Sequence, residues 1–167
     1  MKKFEISLLL GLILAVMLAE FSAFAAVSDE VRRDTLRLHI LANSDSEADQ
    51  ALKLKVRDAI LKESENLFKT AFDKNNAIEI VDSSLEEIKK IATETVKKNG
   101  YNYTVQVYRT NMMFSTRYYD GFTLPAGMYD AVRVEIGSAN GKNWWCVLFP
   151  PLCLGAANGG NEKISDT

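Results

Sequence analysis

Leu36, Leu38 and Ile40 alternate with Arg37, His39 and Leu41, a period-two pattern that predicts a strand with one buried face and one mixed face. Asn43-Ser44-Asp45-Ser46-Glu47 interrupts the run. Ser44 and Glu47 have the spacing of a capping box, and Asp45, Glu47 and Asp49 put negative charge at the positive end of a helix dipole, so a helix is predicted from about Asp45. Leu52, Val56, Ala59 and Ile60 supply its apolar stripe, with Lys53, Arg57 and Asp58 largely outside it. The stretch from Leu36 to Ile60 is therefore a strand-to-helix hinge. Leu67, Phe68, Ala71 and Phe72 prolong the helical spacing as far as a break at Asp73-Lys74-Asn75-Asn76.

Ile78, Val81, Leu85, Ile88, Ala92 and Val96 define a second amphipathic helix, whose Glu86, Glu87, Lys89, Lys90, Glu94 and Lys97 form a solvated face. Lys97-Lys98-Asn99-Gly100 ends it with cations at the negative end of the dipole and a glycine for the left-handed terminal position. From Tyr101 the period returns to two. Strands are predicted over Tyr101 to Tyr108, Phe114 to Tyr119, Ala131 to Ile136 and Trp144 to Phe149, with turns at Asp120-Gly121 and Leu124-Pro125-Ala126-Gly127. The last strand is apolar throughout and is expected to be buried on both faces until Pro150-Pro151 stops it. The order strand, helix, helix, strands predicts one α+β domain over residues 26–157. In it an N-terminal strand and two amphipathic helices pack on a mainly antiparallel sheet of about four to five strands. Residues 158–167, small and polar, are expected to be a disordered tail.

The start of the chain follows different rules. Lys2 and Lys3 precede an apolar run from Ile6 to Ala19, and Ala23-Phe24-Ala25 offers small residues at both cleavage positions, so residues 1–25 read as a secretory signal peptide cut after Ala25. An uncleaved anchor is the alternative, because Phe21 to Val27 extend the run beyond Glu20. Both place the domain outside the cytoplasm. The formal net charge is −2, which argues against nucleic acid, since phosphate binding needs a concentrated positive field.

Export also allows Cys146 and Cys153 to form a disulfide. A loop of about eight residues would contribute roughly 2.5 kcal/mol if unstrained. A bridge and two free thiols both remain open.

Few patterns suggest catalysis. Cys146 with His39, the sole histidine, and Asn43 as an orienting group is the one nucleophile arrangement to weigh, as a secreted cysteine hydrolase. Asp45-x-Glu47-x-Asp49 begins like a calcium loop but has Gln50 and Val56 where glycine and glutamate belong, and no metal is expected. Gly137-Ser138-Ala139-Asn140-Gly141-Lys142-Asn143 is one residue short of a phosphate loop and leads into a strand, so no cofactor is expected. Trp144 and Trp145 point to opposite faces of their strand. Either both are packed in a core, or one joins Pro150-Pro151 as an exposed anchor for a partner protein.

Three blocks, LRLHILANSDSEADQALKLKVRDAI, LPAGMYDAVRVEIG and GKNWWCVLFPPLC, together resemble the stage II sporulation protein R family of endospore-forming bacteria, over about Leu36 to Cys153. Asn43, Ser44, Asp45, Asp49, Gln50, Arg57 and Asp58 match its first block, and Pro125 and Gly127 its second. Asn143, Trp144, Trp145, Cys146, Phe149, Pro150, Pro151 and Cys153 match its third. The resemblance implies a signalling protein, not an enzyme, made in the forespore and exported into the space between the forespore and mother-cell membranes. The resemblance further implies that it activates there a membrane-embedded aspartic protease of the mother cell that cleaves pro-sigma E. The resemblance assigns no catalytic residue. The expected contact surface combines Asn43, Ser44, Asp45 and Asp49 with Trp144, Trp145, Phe149, Pro150 and Pro151. The tail departs from the family after Cys153, where Leu154-Gly155-Ala156-Ala157-Asn158 turns small and polar.

Overall fold

The computed structural model describes residues 2–119 and 122–150. The elements run α1 (Lys2–Arg33), β1 (Leu36–Leu41), α2 (Glu47–Leu67), a 3-10 turn (Phe68–Thr70), α3 (Lys74–Lys98), β2 (Val105–Phe114), β3 (Arg117–Tyr119), β4 (Phe122–Leu124), β5 (Gly127–Ile136) and β6 (Asn143–Phe149). Four strands form one sheet in the order β2-β5-β1-β6, and β3 with β4 makes a separate two-stranded hairpin. The β1–β5 pair is parallel, while β1–β6 and β2–β5 are antiparallel. The fold is thus a single α+β domain with a mainly antiparallel four-stranded sheet. The C-terminal strands are not all neighbours in sequence order, because β1 inserts between β5 and β6.

One face of the sheet carries Leu36, Leu38, Ile40, Val132, Val134 and Ile136. These pack against Leu52, Val56 and Ile60 of α2 and Val81, Ile88, Ala92 and Val96 of α3 in one buried cluster. Spacings of three and four turn one stripe of each helix inward, and burying each large aliphatic side chain stabilises the fold by about 1.5–3 kcal/mol. At the rim Arg109 of β2 holds Asp82 of α3 through two bonds, of 2.7 and 2.9 Å, and Lys74 lies 2.6 Å from Asp130. Gly100, at φ +83°, takes the left-handed conformation after α3.

Several boundaries differ from the sequence reading. Every residue of β1 is buried, so its second face is not solvated: β1 is an interior strand and aromatic side chains cover Arg37 and His39. The N-cap of α2 is Ser46, whose hydroxyl accepts from the Asp49 N–H; Ser44, the predicted cap, turns its hydroxyl to the Asp49 carboxylate instead. Lys53 is buried, and its ammonium donates to Gln50 Oε1 and to the Lys142 carbonyl at 2.7 and 2.9 Å. The predicted break falls at residues 71–73, where Asp73 caps α3, while Lys74, Asn75 and Asn76 already form its first turn. Residues 101–104 lie outside the sheet, and β2 runs on through Phe114. β6 is an edge strand, with Trp144, Trp145 and Phe149 only half-buried.

α1 passes Ala25 without interruption, and its last turns dock on the domain. Ser28 is buried, Val31 touches the core, and the Arg32 side chain lies against Gly127 and donates to the Ala126 carbonyl. Residues Phe4 to Leu18 leave their large apolar side chains exposed. Among the described residues no helix is long and apolar enough to cross a membrane. Pro151, Cys153 and the expected tail lie outside the described residues.

Candidate interaction face

The corner between β1 and α2 is knitted to the β5–β6 connection. Asn43 donates from Nδ2 to Asp49 Oδ2 at 2.9 Å, accepts the Ser138 N–H on Oδ1 at 2.9 Å, and its carbonyl accepts the Ser138 hydroxyl at 2.7 Å. Gly141 N–H donates to the Ala42 carbonyl and Lys142 N–H to Asp45 Oδ1. A Cβ at Gly137, which has φ +61°, would collide with the Asn43 side chain, and one at Gly141 with the Ser44 carbonyl. The glycines that mimic a phosphate loop are there to let two backbones meet. Asp49 is 4% exposed. Hydrogen bonds, first from Ser44 and then from Asn43, hold its carboxyl below the ordinary aspartate range against the opposing effect of burial. Asp49 is thus buried, Asn43 and Ser44 are half-exposed with their side chains turned to it, and Asp45, Ser46 and Glu47 are exposed.

Among the described residues, no helix packs across the centre of the second face of the sheet. Strand register aligns Tyr108, Arg133, His39 and Trp145 in one row from β2 to β6. Trp145 and the His39 ring are stacked with centroids 3.9 Å apart and planes 12° apart, and Phe114 meets Trp145 edge-on at 4.8 Å. His39 Nε2 donates to Asn143 Oδ1 at 2.8 Å. Burial lowers the His39 pKa from 6.5 to about 4, with nearby Arg133 acting in the same direction, so the ring is neutral at neutral pH. Glu135 Oε1 accepts from Arg133 Nε at 2.7 Å and from the Tyr108 hydroxyl at 2.9 Å. Tyr108 is exposed; Arg133, Glu135 and Trp145 are half-exposed. At the other end of this face Arg37 lies fully buried among Phe114, Tyr129 and Tyr119.

The register also separates the candidate catalytic pair. Cys146 stands opposite Leu38, and Trp145 opposite His39. Alternation therefore puts Cys146 on the helix-covered face and His39 on the other. Asn143 rather than Asn43 orients the histidine. Cys146 is buried and is not a free thiol. Trp144, on the helix-covered side, lies under the Arg57 guanidinium at 4.2 Å.

The sequence reading named Trp145, together with Trp144, as a candidate without assigning either to this face, and it did not include Arg37, Phe114, Tyr129, Arg133 or Glu135. The alternation of charged and apolar residues in β1 and β5 was the available signal. It marked a polar-facing side without showing that aromatic residues from distant segments roof part of it.

The stage II sporulation protein R family (spore_II_R) model matches residues 32–158. The chain belongs to that family. It is 46% identical over 119 residues to "Stage II sporulation protein R" of Bacillus subtilis (strain 168), a match that covers 71% of this chain and 53% of the relative. The chain thus spans about half the length of that relative. No solved structure matches it.

Proposed function

We propose that this protein is an exported signal of sporulation. In this reading it acts in the space between forespore and mother-cell membranes and activates the membrane-embedded aspartic protease that processes pro-sigma E. The observation that carries this reading is the family match across residues 32–158. The leader pattern at Lys2 to Ala25 supports export, and the placement of His39 and Cys146 on opposite faces disfavours the cysteine hydrolase.

The protein acts as a ligand rather than a catalyst, by binding the active conformation of the protease more tightly than the inactive one. Moving a two-state target from mostly off to mostly on takes a preference of about 5 kcal/mol. The contact surface is the half-open sheet face around Tyr108, Arg133, Glu135 and Trp145, whose tyrosine, arginine and tryptophan are residue types enriched at binding hot spots. A Cys146–Cys153 disulfide, which the oxidising space outside the cytoplasm permits, belongs to this reading.

The test is co-expression of this protein with the protease and pro-sigma E in a heterologous bacterium, with and without residues 1–25. Cleavage that depends on the exported form is expected. Cleavage by the form confined to the cytoplasm would contradict the reading.

A further inference from the structure

Arg37 is the largest side chain fully shielded from solvent among the described residues. Its guanidinium lies 4.1 Å from the Phe114 ring centroid and 5.0 Å from that of Tyr129. Nη2 donates to the Tyr119 hydroxyl at 2.8 Å, whereas Nε and Nη1 have no hydrogen-bond partner among the described residues. No carboxylate among the described residues pairs with it; burial lowers its pKa, and the hydrogen bond to the Tyr119 hydroxyl opposes this only in part.

A guanidinium stays charged at physiological pH and presents five N–H donors in a plane. Buried without a counter-charge, it is strongly unfavourable, and stacking on aromatic rings offsets only part of the cost. Bulk alone at this position would be better supplied by methionine or leucine, which leave no donor unpaired. Tyr119 lies on the β3–β4 hairpin, whose strands pair with each other and not with the main sheet. The half-exposed Trp145 beside this site belongs to the same face as Tyr108 and Arg133.

We propose that Arg37 is the receptor for a carboxylate presented by the protein this chain engages. An aspartate, glutamate or C-terminal carboxylate enters between β1 and the β3–β4 hairpin, displaces the Tyr119 hydroxyl and takes the unpaired N–H groups. The identity of that partner as the protease rests on the function proposed above; the carboxylate site itself does not.

The experiment follows the Arg37 Nε–H resonance of the full chain labelled with 15N-arginine, assigned by its loss in Arg37→Met. The probe is N-acetylglutamate α-amide, a peptide-like monocarboxylate, compared with inorganic phosphate at matched ionic strength. A saturable shift with the carboxylate, and a weaker response to phosphate, is expected. Tyr119→Phe, which removes the competing hydroxyl, is expected to tighten carboxylate binding by about twofold or more. A missing or unsaturable response to the carboxylate, tighter binding of phosphate, or weaker binding in Tyr119→Phe overturns the proposal. In the cleavage assay Arg37→Met is expected to unfold at the same or a higher temperature than the parent yet lose activation by about tenfold or more. Full activation by Arg37→Met also overturns it. Saturable carboxylate binding by a protein that never promotes pro-sigma E cleavage would keep this site and remove the protease as its partner.

Discussion

His39 lies flat against Trp145 with 3.9 Å between ring centroids, while its Nε2 is fixed by Asn143 at 2.8 Å. The stack keeps the imidazole dry and uncharged in the middle of the sheet. The folded state holds His39 neutral down to about pH 4, whereas the unfolded chain protonates it near 6.5. Unfolding therefore takes up a proton between those values, so the stabilisation is complete above pH 6.5 and is lost as the pH falls toward 4. Urea unfolding at pH 7 and pH 5 is expected to differ by about 2 kcal/mol in the parent and by much less in His39→Gln. Equal losses in the two proteins would show that the stack does not depress the histidine.

Asp49→Ala removes the acceptor of both Asn43 Nδ2 and the Ser44 hydroxyl at a buried position. A loss of about 1–3 kcal/mol is expected, against about 1 kcal/mol for Ser46→Ala, which deletes the α2 cap and an exposed contact with the Ser44 hydroxyl. Thermal or urea unfolding ranks the two. Asp49 ionises below the ordinary range, so its share is present above pH 3.8 and disappears as the pH falls through its lowered value.

Gly141→Ala tests the seam between the corner and the β5–β6 connection. The added methyl meets the Ser44 carbonyl, a backbone atom that cannot swing away. A destabilisation of about 1–3 kcal/mol is expected by urea unfolding, whereas alanine at the open Gly100 should cost less, by about 1 kcal/mol, through its positive φ alone.

The two tryptophans should separate. Trp144 is sandwiched under Arg57 on the helix-covered side, and Trp145 belongs to the open face. Arg57→Ala is expected to weaken folding by about 0.5–1 kcal/mol through the lost cation–π contact while leaving protease activation unchanged. Trp145→Phe, which keeps an aromatic ring over His39, is expected to fold and to reduce activation. Unfolding curves beside the cleavage assay distinguish them.

The helices were legible because each buries one continuous stripe; Val81, Ile88, Ala92 and Val96 needed no outside information to predict an inward face. The corner was legible as a strand-to-helix hinge, but its cap moved from Ser44 to Ser46. Several hydroxyls and carboxylates within five residues satisfy the same capping pattern, and Asn43 and Ser138, 95 positions apart, choose between them. Lys53 was misplaced for a related reason, since its partners at Lys142 and Asn143 are remote in sequence. Arg37 looked like one polar residue on an alternating strand. Only the arrival of Phe114, Tyr129 and Tyr119 over it reveals a buried cation.

The claim that the open sheet face carries the signal is tested most directly by two matched double variants in the pro-sigma E cleavage assay, each first checked by thermal unfolding. Tyr108→Ala/Arg133→Ala alters that face, and Glu86→Ala/Lys90→Ala alters the exposed side of α3. The first is expected to lower activation by about tenfold and the second to leave it unchanged. Activation that survives the first pair, or is lost with the second, would contradict the account.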